Sequence, residues 1–489
     1  MEKKTKVILV FLCLFGLVLR VFWFPDKISF LYDQGRDALI IRDFWEKGKL
    51  TLIGPATDIP GIFHGPIFYY LIAPGYFFTK GNPFGASLIL IFFNTISIYL
   101  IFLLGKTWFD ELTGVLSALF LATSYGLIAY ARWLSNPSTV PFFVVLLFLS
   151  LTKVLLGKEK YLFLVAFCWA VIFHLEVVCA LFLLPTLFFI FLLKKPKIKN
   201  LKVISGSIFV CFLLLSSYLL FDLRHEFLTT KAVLNLLLEE KGFSLSIRGG
   251  LLEKFLVFFR ESSFILIIGR LSWAVFLILI STSYSLFCLR KHKNLKILLP
   301  WVFVTPISLV FYQKAVHSHF LVAVGPAAIL LVSFFLAQVF KKGKWGKALA
   351  GVAVLILLFN NLSVFFKDMP KNRFILFYGH QQRVTLGRMK KVVDFIYQDA
   401  EGDQFWFEAY NLPYWLSHHW KYVFSWRGKR KYGFVPKEGS NLLYLIIEPD
   451  PDRLFLKNWL EEKDKVSVLL ERKKIEPIVV EKRRVKRND

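Results

Sequence analysis

The sequence predicts a polytopic α-helical membrane protein with a small α/β domain at its C-terminal end, and three observations predict it. Of 489 residues, 56% are hydrophobic, more than a soluble domain of this size could bury, and Phe alone occurs 54 times. The apolar residues gather into about eleven segments near the ~20 residues that a spanning helix needs. After residue 366 these segments stop and charge rises.

The segments run over about 7–24, 86–105, 112–130, 138–156, 161–175, 177–193, 202–221, 263–289, 296–312, 319–340 and 347–366. The first follows Glu2-Lys3-Lys4-Thr5-Lys6, contains Arg20 and lacks a small-x-small cleavage site, so it is expected to remain as an uncleaved helix. The fifth and sixth are divided around His174-Leu175-Glu176, which keeps every later basic loop on one side. Short basic connectors at Lys158/Lys160, Lys194–Lys199, Arg290–Lys293 and Lys341–Lys344 belong, with the N-terminal lysines, on the cytoplasmic face. The longer, mixed connectors 25–85, 131–137, 222–262, 313–318 and 367–489 then fall on the outer face.

The net charge of +27 raises the question of a nucleic-acid partner. Because the Lys and Arg sit in clusters between apolar runs, the anionic lipid surface is the partner they imply, and nucleic acid is not. The basic run Lys482–Arg487 is expected to be a solvated end. Five cysteines, all in apolar runs, have neither metal-ligand nor redox spacing and are taken as small core residues.

Two regions divide the chain: residues 1–366 as the membrane module and 367–489 as the outer α/β domain. In the first outer loop, residues 34–47 form an amphipathic helix suited to the interface, followed by the turn-rich strip Phe63-His64-Gly65-Pro66 and aromatics. In the outer domain, alternation marks strands at 404–408 and 441–447, and helical spacing marks 382–398 and 452–463.

Chemistry concentrates in Tyr32-Asp33-Gln34-Gly35-Arg36-Asp37-Ala38, which sets charge at membrane depth, where charge is costly without a partner or a task. Asp33 has two readings, a general base or the N-cap of the helix that follows. Arg36 is half of an ion pair or a phosphate ligand, and Asp37 faces solvent or pairs with Arg36 or Arg42. His64 is a turn residue or a phosphate contact, and Tyr69 lies in the same strip. Arg132, beside a span, snorkels or binds phosphate; Arg224 and His225, at another helix end, are anchors or substrate contacts. Lys314 and His317 belong to the polar cluster Gln313–His319, where Lys314 suits a donor phosphate and two histidines lack a third metal ligand. His174 and Glu176 are expected to bond one another, and His418-His419 to be surface structure.

The first-loop residues Asp33, Arg36 and Ala38, then His64-Gly65-Pro66 and Arg132–Asn136, resemble the GT-C glycosyltransferases. The similarity is to the family of protein O-mannosyltransferases and the lipid A aminoarabinose transferase, and by topology it extends over essentially the whole chain. It implies a membrane enzyme that passes a sugar from a polyprenyl-phosphate donor to a lipid, glycan or protein acceptor at the outer face of the cell membrane. It also selects Asp33 as the catalytic base, with Arg36, His64 and Arg132 at its other motif positions. Read from their own places in the chain, Arg224, His225 and Lys314 are assigned with these to the phosphate, and Asp37, Tyr69 and His317 to a supporting tier. Gln34 and Asn136 stand where relatives carry acids, so no metal ligands are assigned and a divalent cation is at most an auxiliary cofactor. A diphosphate-dependent polysaccharide polymerase or ligase, or a lipid transporter without chemistry, is the alternative.

Overall fold

The computed structural model describes residues 3–23, 26–238, 250–312, 316–370, 384–411, 416–450 and 453–486. Helix α1 (Lys3–Val21) leads into α2 (Tyr32–Glu46) and α3 (Ile67–Phe78). The bundle continues with α4 (Pro83–Trp108), α5 (Glu111–Thr123), α6 (Tyr125–Arg132), α7 (Val140–Leu155), α8 (Leu162–Leu175), α9 (Val177–Lys194) and α10 (Leu201–Arg224). It closes with α11 (Leu228–Leu238), α12 (Gly250–Leu266), α13 (Leu271–Phe287), α14 (Leu295–Ser308), α15 (Gly325–Phe340) and α16 (Gly343–Asp368). Beyond it come α17 (Leu386–Asp399), β1 (Phe405–Tyr410), α18 (His418–Val423), α19 (Lys429–Lys431), β2 (Leu442–Ile447), α20 (Arg453–Val466), β3 (Ser467–Ile475) and β4 (Ile478–Val485).

Among the described residues, six helices are long and apolar enough to cross a membrane, or eight if each of two bent pairs is one span. That is fewer than the expected eleven, and two expected spans are broken. The segment 112–130 bends by 55° between α5 and α6, where Ser124 accepts from Leu127 N at 3.3 Å and donates to Ile265 O at 2.7 Å. The segment 263–289 bends by 95° between α12 and α13, where Gly269 takes φ +72°. A residue with a Cβ rarely adopts that conformation, so glycine permits the bend. Hydropathy sums over a window and is blind to such a corner.

The two kinds of connector separate along the bundle axis. At one end Lys194 donates to Lys293 O at 2.8 Å, Glu159 accepts from the Lys199 and Asn200 amides, and Asp110 pairs with Lys341 at 2.7 Å while capping α5. At the other end of α16, Phe365 and Phe366 pack on Trp23 just after α1. There Ser29 bridges Thr385, and Leu386 N donates to Ile28 O at 2.9 Å. The first long loop and the C-terminal region therefore meet at one end.

The C-terminal sheet has the order β1-β2-β4-β3, with β1 parallel to β2 and the other neighbours antiparallel. The two expected strands and both expected helices are present. The solvated basic end is not: most of it is β4, because Arg483 turns inward to pair with Asp464 and Glu481 at 2.6 Å each. Alternation hidden among charged residues escapes a hydrophobicity pattern.

Candidate active site

Between the bundle and the C-terminal sheet lies a cavity of about 1500 Å³. It exceeds the ~300–1000 Å³ of ordinary small-molecule pockets. Its wall includes apolar residues such as Phe173, Leu181, Phe182, Leu219 and Phe264 from α8, α9, α10 and α12. The same wall carries the ionisable residues Asp33, Asp58, His64, Glu176, Arg260 and His319.

Helix α2 sets Asp33 at the rim. Its N-terminus is closed by Gln34, whose side chain accepts from Leu31 N at 3.0 Å. Leu31 is the capping position and Asp33 lies one residue inside the helix, so the N-cap reading of Asp33 does not hold. A carboxylate in the first turn still benefits from the helix dipole. The Asp33 side chain is 58% exposed and meets Arg36 Nη1 at 2.8 Å.

Arg36 divides its guanidinium between two acids, reaching Asp37 Oδ1 with Nε at 2.9 Å and Nη2 at 2.8 Å. Asp37 is buried, not facing solvent, and also accepts from Tyr69 OH at 3.1 Å. Burial pushes its carboxyl up to about 6, against the opposing pull of Arg36. Arg42 points away, to Glu46 at 3.3 Å and Ser425 at 2.7 Å. Arg36, Asp37 and Tyr69 therefore brace Asp33 from behind, outside the cavity wall.

His64 lies on the wall in a hairpin fixed by its amide to Pro55 O and by Gly54 N to its carbonyl, both 2.8 Å. Desolvation, reinforced by the Arg36 cation, pushes its pKa down to about 4, so it is a neutral donor or acceptor at pH 7. His317 also lines the cavity, 2.8 Å from Asp58 and stacked on His319 at 5.4 Å.

Other expected residues are elsewhere. Arg132 is buried and donates to the Arg20 and Phe22 carbonyls at 3.3 and 2.6 Å, tying α6 to the end of α1. Arg224 and His225 are exposed and absent from the wall, where Asp222 stands instead, bound to the Thr229 and Thr230 amides. Lys314 lies outside the described residues. His174 and Glu176 do not bond one another: His174 Nε2 meets Leu214 O at 2.9 Å, and Glu176 lies 3.8 Å from His319. Burial pushes the Glu176 carboxyl up to about 8.

Several wall residues carry no local sequence signal. Arg260 is exposed on the wall without an ion pair to any described residue, next to Glu261, which accepts from Tyr130 OH at 2.9 Å. His419 is buried against Glu448 rather than at the surface. Among the described residues, no three of His, Cys, Asp and Glu converge as metal ligands. Gln34 and Asn136 are already occupied, Asn136 donating to Leu175 O at 2.7 Å.

Residues 63–221 match the family described as dolichyl-phosphate-mannose-protein mannosyltransferase. ArnT from Cupriavidus metallidurans bound to undecaprenyl phosphate superposes with a TM-score of 0.63 at 12% identity, over 99% of this chain and 98% of that one. The chain resembles the GT-C membrane glycosyltransferases. The oligosaccharyltransferase AglB from Archaeoglobus fulgidus, in complex with an inhibitory peptide and a dolichol-phosphate, shares this GT-C fold. Its TM-score is 0.52 at 12% identity, over 91% of this chain and 69% of that one. The mycobacterial arabinofuranosyltransferase AftD matches at 0.54 and 13% identity, over 100% of this chain and 40% of that one. A search of curated proteins yields no match. The matched family region contains His64 and Glu176 of the cavity wall and leaves Asp33 outside.

Proposed function

We propose that this chain is an integral membrane glycosyltransferase that moves a sugar from a polyprenyl-phosphate donor to an acceptor hydroxyl at the outer face. One observation carries the reading: a large cavity is lined by both apolar and ionisable side chains, among them the Asp33 carboxylate. An isoprenoid chain matches the apolar lining and a sugar phosphate the polar residues. ArnT, whose fold this is, has been solved with undecaprenyl phosphate bound, which supports the same class of donor.

The proposed step is a direct displacement. Asp33 takes the proton of the acceptor hydroxyl as its oxygen attacks the anomeric carbon. The bond from that carbon to the phosphate oxygen breaks, the electron pair leaves with the phosphate, and the sugar configuration inverts. Double displacement would need a second carboxylate across the sugar. Arg36 fixes the Asp33 carboxylate, while Arg260 and neutral His64 offer charge and a hydrogen bond to the departing phosphate. Lys314 remains assigned to the same phosphate. Among the described residues no three of His, Cys, Asp and Glu converge as metal ligands, and the proposed step is written through side chains.

The test compares lipids and surface glycans by mass spectrometry in cells with and without the protein. Loss of one sugar from an acceptor, with build-up of the loaded polyprenyl phosphate, is expected. Unchanged glycans and an unmodified lipid redistributed between leaflets would instead indicate transport.

A further inference from the structure

Strands β1 and β2 are parallel neighbours and end in register, Tyr410 opposite Ile447. The next residue of each, Asn411 and Glu448, turns onto the cavity wall. The Glu448 amide still donates to Tyr410 O at 3.0 Å, which fixes the level at which both side chains leave the sheet. In α/β sheets, ligands bind beyond the carboxyl ends of such parallel strands.

His419 completes the group from α18. Helix α18 is seated on α2 so closely that a Cβ added to Gly35 would lie 2.2 Å from His419 N. The Tyr32 and His418 rings, 5.0 Å apart, mark the same contact. The roof of the cavity thus begins beside the turn of α2 that carries Asp33.

Glu448 is only 6% exposed, yet its two oxygens differ. His419 Nε2 and Trp420 Nε1 both donate to Oε1, each at 2.8 Å. No described residue bonds Oε2. Oε2 is left open to the cavity that Glu448 lines, where it can accept from a hydroxyl of a cavity ligand. Asn411 beside it supplies an amide, which can donate and accept.

From this arrangement we infer that Asn411, His419 and Glu448 form a hydroxyl-binding roof that takes a carbohydrate by its hydroxyl groups. Glu448 Oε2 and the Asn411 amide contact the sugar, and His419 is a positioning residue that holds Glu448. The inference rests on the glycosyltransferase reading and adds the chemistry recognised from above the bond being made. The hydroxyls belong to the donor's sugar or to a glycan acceptor, two sources of one chemistry.

Glu448→Gln keeps an acceptor for His419 and Trp420 while replacing the open carboxylate oxygen. The measurements are the protein-dependent sugar on its cellular acceptor and the loaded polyprenyl phosphate that co-purifies with the full-length protein, both by mass spectrometry. Transfer should fall at least tenfold at an unchanged melting temperature. Undiminished loaded donor then assigns the roof to the acceptor glycan, and a parallel loss assigns it to the donor's sugar. Asn411→Asp is the second variant, which decides the matter if Glu448→Gln does not fold. Wild-type transfer and donor occupancy in a folded variant would overturn the roof. If wild-type cells showed no protein-dependent sugar, the glycosyltransferase reading would fail first and the roof with it.

Discussion

Asp33 and its brace concentrate the chemistry at single residues. Asp33→Asn should lower transfer by ~10²-fold or more, the scale of general-base removal. Capping does not confound that outcome, since Gln34 performs it, and melting temperature should stay near wild type. Full activity in a stable Asp33→Asn protein would return Asp33 to a structural role. His64 supports a second prediction. An unfolded His binds its proton near pH 6.5, whereas folded His64 does so only near about 4. Stability from this site is therefore present above pH 6.5 and is lost as pH falls towards 4. Melting curves of wild type and His64→Gln should diverge as pH drops from 7 to 5, with wild type losing more; parallel curves would remove the shift. At pH 7, His64→Ala should weaken donor binding about tenfold, one hydrogen bond's worth, and His64→Gln by less.

Element packing decides whether these residues meet. Gly35 lets α2 lie against α18, and Gly35→Ala should cost about 1–3 kcal/mol as an overpacked contact. Because Asp33 is on the same helical turn, activity should fall with stability. Thermal melting and sugar transfer measured together test this, and a neutral Gly35→Ala would show the contact to be loose. The amphipathic spacing of 34–47 made α2 legible, but not that its inner face is covered by a segment nearly four hundred residues later. The bends after α5 and α12 were likewise illegible, since a backbone corner costs the hydropathy window nothing.

Across the whole molecule, the first long loop and the C-terminal region share one end of the bundle and the basic connectors share the other. If that basic end is cytoplasmic, single cysteines at Asp58 and Ser440 should react with an impermeant thiol reagent in intact cells, and one at Lys197 should not. The reverse labelling would invert the topology. Turnover should also survive chelation, at least in part. Complete loss in chelator, restored by magnesium or manganese, would reveal ligands beyond those described.

By itself the sequence determined the membrane class, the basic and mixed ends and the strands β1 and β2, and it marked the charged stretch 32–38. These follow from composition, local periodicity and charge at membrane depth, which are properties of neighbouring residues. Tertiary structure alone decided that Asp37 is buried behind Arg36, that Arg132 serves α1, and that Arg260, Glu176, His419 and Glu448 face one cavity. A cavity wall is assembled from chain segments hundreds of residues apart, and no local pattern records which polar side chains the packing leaves facing it.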